Sequence, residues 1–424
     1  MRIRFIRPAA RRRVLAVLTA ATAIAGSLSA VSWARGTPAS AGRPSGLRWV
    51  TSWSAAPVIG AKIPGSTCPA GSGLADQTVR DVVYLSMGGD AVRVRLTNAF
   101  GTRPMRVGHV SVASQASGAN ATGGVRPLTF GGATGVTVVA GGQVLSDPIP
   151  LAVRSGTKLL VSVYVPDDTG PVTNHPFTAQ TNYLADGDRT LTPTAEGYDA
   201  TPCWMLIDAV DTRASGRVVG TVVTLGDSIT DTAITTGDAD QRWPDHLARR
   251  LNALRGPTLS VANAGLGGNR LLAPREGQPY YGVPALARLD RDVFGRTAVR
   301  DVILLEGVND IGYDASAADI IAADRQIVAQ SHAQGLRIFG GTIMPFKGSV
   351  VWSKEREDTR ETVNAWIRDG HDFDGVIDFS AATADPSDPQ ALKPAYDSGD
   401  HLHPGDAGCR AMADAVRLPM LIGG

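Results

Sequence analysis

"VVGTVVTLGDSIT", residues 218–230, decides how the second half of this chain is read. From Val218 to Leu225 the residues are mostly apolar or β-branched, with no polar alternation. A strand written this way is buried on both faces, the condition of a parallel sheet covered by helices. The run stops at Gly226-Asp227-Ser228, a small-residue turn carrying a hydroxyl. Such a serine is either an ordinary helix N-cap or a nucleophile presented at a strand end. Ser228 alone does not decide between them.

Further apolar runs come later: a weaker "TLSVAN" (258–263), then "DVILL" (301–305), "RIFGGTI" (337–343) and "GVIDF" (375–379). Helix-like stretches such as "RWPDHLARRLNAL" (242–254) and "SAADIIAADRQIVAQSHAQG" (316–335) separate them. Alternating strands and amphipathic helices predict a three-layer α/β domain over residues 213–424. Upstream the period changes to two. In "AVRVRLTNAF" (91–100), Val92, Val94 and Leu96 alternate with Arg93, Arg95 and Thr97, and "TKLLVSVYVPDD" (157–168) is similar. Many short strands broken at Gly, Pro, Asp and Asn predict a β-sandwich or jelly roll over 47–212.

Residues 1–34 carry Arg2, Arg4, Arg7, Arg11, Arg12 and Arg13 before an Ala-rich apolar run from Val14 to Val31 and then Ser32-Trp33-Ala34. A basic region, an apolar region and a small-x-small site describe a signal peptide, with cleavage expected near Ala34. A membrane-spanning helix is the alternative, weakened by the Ala, Thr, Gly and Ser content. Arg11-Arg12-Arg13 leaves Sec and twin-arginine export both open. Residues 35–46, rich in Gly, Pro, Ala and Ser, read as a flexible lead-in. The formal charge of the whole chain is +1, which suggests no nucleic-acid partner. No second long apolar segment occurs, so no stable membrane anchor is expected after cleavage, and the protein is expected to be extracellular. Of the three cysteines, Cys68 and Cys203 bracket the first domain and form the favoured disulfide, leaving Cys409 as a small buried residue.

In doubly wound sheets ligands bind at the carboxyl ends of the strands. Here those ends carry Ser228, the turn "NAGLGGNR" (263–270), "EGVND" (306–310) and, beyond the last strand, "DSGDHLHPGDAG" (397–408). These residue types suit acyl transfer. A serine hydroxyl needs a base, for which His403 is the candidate, and Asp400 would hold the imidazole. His401 competes, but the i, i+3 spacing from Asp400 and the adjoining Pro404 favour His403. The N–H groups of Ser228 and Gly268 and the side-chain amide of Asn309 could form an oxyanion hole. Glycine at 268 lets the backbone approach a substrate without a Cβ in the way. His109, His175, His246, His332 and His371 stand isolated and read as ordinary surface or core residues. Arg270, Tyr280 and Tyr281 are candidates for lining a pocket. "NAGLGGN" lacks the features of a phosphate loop, and no metal-ligand spacing occurs, so neither cofactor nor metal is expected.

Together, GDSIT (226–230), NAGLGGN (263–269), GVND (307–310) and DHLHP (400–404) resemble the GDSL or SGNH hydrolase superfamily, named for its Ser, Gly, Asn and His. The resemblance covers about half the chain, from 218 onward, and GDSI in place of GDSL is conservative. It implies a flavodoxin-like sandwich, nucleophile Ser228, base His403, acid Asp400, and oxyanion donors Ser228, Gly268 and Asn309. More narrowly, the arrangement resembles secreted actinobacterial esterases with an N-terminal β-domain. Asp227 and Asp231 then become structural carboxylates of the turn and first helical turn, and Asp310 a helix cap. The expected function is a secreted carboxylic ester hydrolase working through an acyl-enzyme. Its expected substrates are short-acyl, chiefly acetyl, esters of polysaccharide or small alcohols. A lipase or phospholipase, an acyltransferase, and a carbohydrate-binding protein with an idle hydrolase domain are the competing readings.

Overall fold

The computed structural model describes residues 46–231, 234–369 and 371–423. The expected signal peptide (1–34), and all of the lead-in but Gly46, lie outside these residues. The period-two region folds as two antiparallel sheets. One has Arg48–Ser54, Ile207–Ala214, Gly89–Thr97 and Gln143–Leu145 in that order, with Ile149–Val153 also paired to Gly89–Thr97. The other runs Asp199–Thr201, Asn182–Asp186, Gln77–Tyr84, Lys158–Val165, His109–Ser117, Asn120–Pro127. Val92, Val94 and Leu96 point into the core between them, with Val79, Val83, Leu159, Val161 and Val163. A disulfide joins Cys68 to Cys203, and Cys409 is buried.

From Val218 onward the sheet is parallel, and all five strands pair in one direction. Its order is Thr258–Gly265, Val218–Gly226, Val299–Leu305, Arg337–Gly341, Gly375–Ile377. In chain order that is 2-1-3-4-5, the flavodoxin-like winding, whose switch point lies beside the first strand. Helices cover both faces because their apolar residues recur at helical spacing. In Trp243–Asn252, Trp243, Leu247 and Leu251 are fully buried. In Ala317–Ala333, Ile320, Ala323 and Ile327 face inward, and the Ser316 hydroxyl caps the first turn by accepting from Asp319 N–H at 3.1 Å. The fold class expected from the pattern is the one observed.

The β-sandwich does not hang from a linker. The described residues belong to one compact unit, Pro44–Gly424. Strand Thr258–Gly265 is the edge of the parallel sheet, and strand Arg48–Ser54 lies along it. Ser260 Oγ donates to Thr51 O (2.7 Å) and Ser54 Oγ to Asn263 O (2.8 Å). Ser86 Oγ donates to Val261 O (2.7 Å). An edge strand left open offers unpaired backbone groups to other chains, and here buried hydroxyls occupy part of it. Among the described residues no helix is long and apolar enough to cross a membrane.

Candidate active site

Ser228 begins a four-residue helix, Ser228–Asp231, directly after the first parallel strand. The turn is tight enough to demand glycine before it. A Cβ on Gly226 would stand 2.2 Å from Thr230 Oγ1 and 2.7 Å from Leu305 O. Asp227, not Ser228, supplies the capping oxygen, accepting from Ile229 N–H at 2.9 Å. The serine side chain is thereby left to point elsewhere. It meets His403, whose Nε2 lies 2.7 Å from Ser228 Oγ. His403 Nδ1 lies 2.6 Å from Asp400 Oδ2.

Asp400 is held by several donors. Its Oδ1 accepts from His403 N–H (2.8 Å) and Leu402 N–H (3.0 Å). Burial works to raise its pKa, but the His403 backbone N–H, the imidazole and the Leu402 N–H outweigh it and hold the carboxyl at about 2. Asp400 is therefore ionised and acceptor-only, so it accepts from His403 Nδ1–H and leaves Nε2 facing the serine hydroxyl. His401 is turned away. With φ at +62°, it places Nδ1 2.6 Å from Asp397 Oδ2.

Gly268 sits in the turn after the second strand with φ at +70°, a conformation that favours glycine. A Cβ there would lie 2.3 Å from the ring of Tyr281, so the aromatic cover over this turn also excludes a side chain. Neither Ser228 N–H nor Gly268 N–H has a partner among the described residues. Asn309 is the second residue of the short helix after the third strand, Val308–Gly312. Its Nδ2 donates to Asn269 O (2.8 Å) and points toward Asp227 Oδ2 at 3.4 Å. Ser228, Gly268, Asn309, Asp400 and His403 thus all lie at the carboxyl edge of the sheet.

Several neighbours differ from their sequence readings. Asp231 is more than a structural carboxylate of the first helical turn. Its Oδ1 lies 2.9 Å from His175 Nε2, and its Oδ2 accepts from Gly267 N–H at 2.9 Å. His175, which reads as isolated in the sequence, is fully buried, comes from the β-sandwich and also contacts Ala56 O through Nδ1 at 2.8 Å. Asp310 is not a helix cap either. Its carboxylate accepts from Leu271 N–H (2.8 Å) and Leu272 N–H (3.1 Å), tying down the loop after Gly268. Of the pocket candidates, Tyr281 covers Gly268 and Tyr280 is buried beside it, rings 4.7 Å apart. Arg270 packs over Tyr313.

Sequence reasoning also passed over two arginines that carry no motif. Buried Arg288 donates to Gly226 O (3.0 Å), Ala264 O (2.7 Å) and Asn269 Oδ1 (2.9 Å), fastening two strand ends and the glycine turn. Arg275 donates to Asn309 Oδ1 at 2.7 Å and Gly268 O at 2.8 Å. Beneath the turn, burial raises the pKa of Asp227 to about 6 and pushes Glu306 well above the usual carboxyl range.

Two hollows lie near the site, and neither is lined by Ser228, Gly268 or His403. One of about 70 Å³ is lined by Arg275, Val308, Asn309, Gly312, Tyr313, Val351 and Leu402. The larger, an open groove of about 650 Å³, does not include Ser228. It reaches the site through Phe177, whose ring stacks on Tyr281 with centroids 5.8 Å apart.

Residues 224–411 match the family model described as GDSL-like lipase/acylhydrolase, and the chain is similar to that family over this stretch. No curated protein matches. Among solved structures, a putative lipolytic protein of the G-D-S-L family from Desulfitobacterium hafniense is similar at 18% identity and TM-score 0.36, covering 46% of this chain and 96% of that one. A GDSL-like lipase from Bacteroides thetaiotaomicron is similar at 17% identity and TM-score 0.36, covering 47% and 87%. The aryl esterase of M. smegmatis is similar at 16% identity and TM-score 0.37, covering 46% and 95%.

Proposed function

We propose that this protein is an exported serine esterase that removes short acyl groups, acetyl above all, from polysaccharide or small alcohols. The observation that carries the reading is the continuous relay from Ser228 Oγ to His403 Nε2 (2.7 Å) and from His403 Nδ1 to Asp400 Oδ2 (2.6 Å). Ser228 Oγ attacks the ester carbonyl as His403 takes its proton, and Asp400 stabilises the imidazolium. The carbonyl oxygen, now an anion, is received by the Ser228 and Gly268 N–H groups and the Asn309 amide. Collapse breaks the C–O bond to the alcohol, which leaves with the proton from His403. Water, deprotonated by the same histidine, then attacks the acyl-enzyme and releases the carboxylic acid and free Ser228.

The small hollow supports a short acyl group. About 70 Å³ beside Asn309 has room for roughly two water-sized groups, enough for an acetyl or propionyl tail. The alcohol would then extend toward the open groove, whose volume of about 650 Å³ lies within the range of small-molecule sites. Its walls combine Phe177 with Ser66, Thr67, Thr178 and Thr181 and include no charged side chain, which suits a neutral sugar. The basic and apolar run at residues 2–31 supports export.

The test is the purified Ser228→Ala variant on p-nitrophenyl acetate. A loss of roughly 10⁴–10⁶ in kcat is expected, and retention of the wild-type rate would sink the proposal. Acetate should be cleaved faster than palmitate, and acetylated xylan should release acetate. Faster palmitate cleavage would replace this reading with the lipase one.

A further inference from the structure

We propose that Arg275 is a positioning residue that builds the oxyanion hole by holding two of its donors on one guanidinium. This rests on the esterase reading above, because it assigns a task within that reaction. Arg275 lies in the long connection after strand Thr258–Gly265, half-buried, in a stretch with no motif. Its Nη2 donates to Asn309 Oδ1 at 2.7 Å and its Nε to Gly268 O at 2.8 Å. Its guanidinium carbon lies over the rings of Tyr281 and Tyr313, 4.3 and 5.3 Å from their centroids. No carboxylate pairs with it among the described residues.

A guanidinium can only donate, whereas a primary amide has one end that accepts and one that donates. Facing Arg275, Asn309 must present oxygen, and its Nδ2 is turned to the opposite side. There one N–H is spent on Asn269 O at 2.8 Å. The other makes only a long contact to Asp227 Oδ2 at 3.4 Å, so it is the one free to shorten onto a substrate oxyanion. The charge on Arg275 polarises the amide through its oxygen and strengthens that N–H as a donor. The second arm of the fork fixes the Gly268 carbonyl and so sets the distance between the glycine turn and the asparagine. Lysine cannot reproduce this, because a single ammonium lacks the planar fork.

The experiment is a double-mutant cycle on p-nitrophenyl acetate with Arg275→Met, which keeps a long apolar stem over Tyr281 and Tyr313 but has no donor. Arg275→Met should lower kcat by about 10–100-fold, somewhat less than the 10²–10³ expected for losing an oxyanion donor, and change KM by a smaller factor, through its place in the lining of the small hollow. In an Asn309→Ala background the same substitution should cost no more than about threefold, because its main target is gone. Affinity for a boronic acid that mimics the tetrahedral intermediate should fall in step with kcat. Arg275→Lys, which can make one of the two contacts but not both, should fall below wild type in kcat by less than the methionine variant, and this loss carries the test if the methionine variant does not fold. Equal losses in both backgrounds, or a kcat within twofold of wild type, would overturn the proposal. With Ser228→Ala inactive in parallel, that result leaves the esterase reading standing. An active Ser228→Ala removes both.

Discussion

Replacing His175 tests whether the β-sandwich is part of the catalytic unit or only its neighbour. His175 and Asp231 are both 2% exposed and their side chains meet at 2.9 Å. Asp231 in turn receives Gly267 N–H, one residue before Gly268. His175→Ala would leave Asp231 buried with Gly267 N–H and without the imidazole. Breaking a buried pair from one side costs about 3–5 kcal/mol, most of it for the stranded charge. The imidazole also packs on Trp204, rings 5.4 Å apart, and that contact would be lost as well. His175→Gln keeps a donor near the Nε2 position and should cost less, about 1.5–3 kcal/mol.

The dependence on pH has a definite sign. Burial lowers the His175 pKa, but the charge and hydrogen bond of Asp231 and the contact with Ala56 O outweigh it, and the net direction is upward. A histidine raised above its unfolded value of about 6.5 contributes stability that is fully present below that pH. The contribution is lost as pH rises through the folded pKa. Denaturant unfolding of wild type and His175→Gln should therefore show the widest gap near pH 5.5 and a narrower one near pH 9. Ester hydrolysis by the glutamine variant, assayed well below its unfolding temperature, should be slower because the Gly267–Gly268 turn has lost part of its anchor. A gap that stays constant or widens with pH refutes the charged-pair argument. An unchanged rate refutes the link to the turn.

Other substitutions probe the site from different sides. Gly268→Ala puts a Cβ 2.3 Å from the Tyr281 ring at a φ of +70°, so the turn must move. kcat should fall by about 10²–10³, and a wild-type rate would remove Gly268 from the oxyanion hole. Asp227 has its pKa raised from 3.8 to about 6 by burial, so the folded protein keeps a proton that the unfolded chain releases. Wild-type stability should fall by about 3 kcal/mol as pH rises through that window. Asp227→Asn, which does not titrate, should gain on wild type by that amount between pH 4 and 7 in parallel unfolding curves, and a constant difference would refute the shift. Arg288→Met removes the donors that satisfy Gly226 O, Ala264 O and Asn269 Oδ1 and unpairs Glu306. A loss of about 3–5 kcal/mol is expected in unfolding experiments, and one below about 1 kcal/mol would deny Arg288 its fastening role.

The architecture was legible because its signals are local. Apolar runs such as Val218–Leu225 and the alternation in Ala91–Thr97 report directly which faces are buried, and burial period is set by backbone geometry within a few residues. The reaction blocks were legible for a related reason. In an open parallel sheet every strand delivers its carboxyl end to one edge, so Ser228, Gly268 and Asn309 can be placed together from the residues directly after each strand. His403 was marked by its spacing to Asp400. His401 carried the same letter two residues earlier, and only the backbone turn at φ +62° sends it to Asp397.

The contacts that stayed hidden depend on distances that the chain does not encode locally. His175 reaches Asp231 across 56 residues and from another sheet, and nothing in "TNHPF" marks it as a partner of the turn that carries Ser228. Arg275 and Arg288 sit in an irregular connection without periodicity, where an arginine reads as one more surface charge. The sequence by itself therefore determined the two folds and the residue types at each strand end, because periodicity and turn chemistry act over a few residues. Only the tertiary structure decided which polar groups outside those strand ends meet. A buried donor must find an acceptor wherever packing brings one within about 3 Å, and that neighbour is chosen by the closed fold, not by the spacing of letters along the chain.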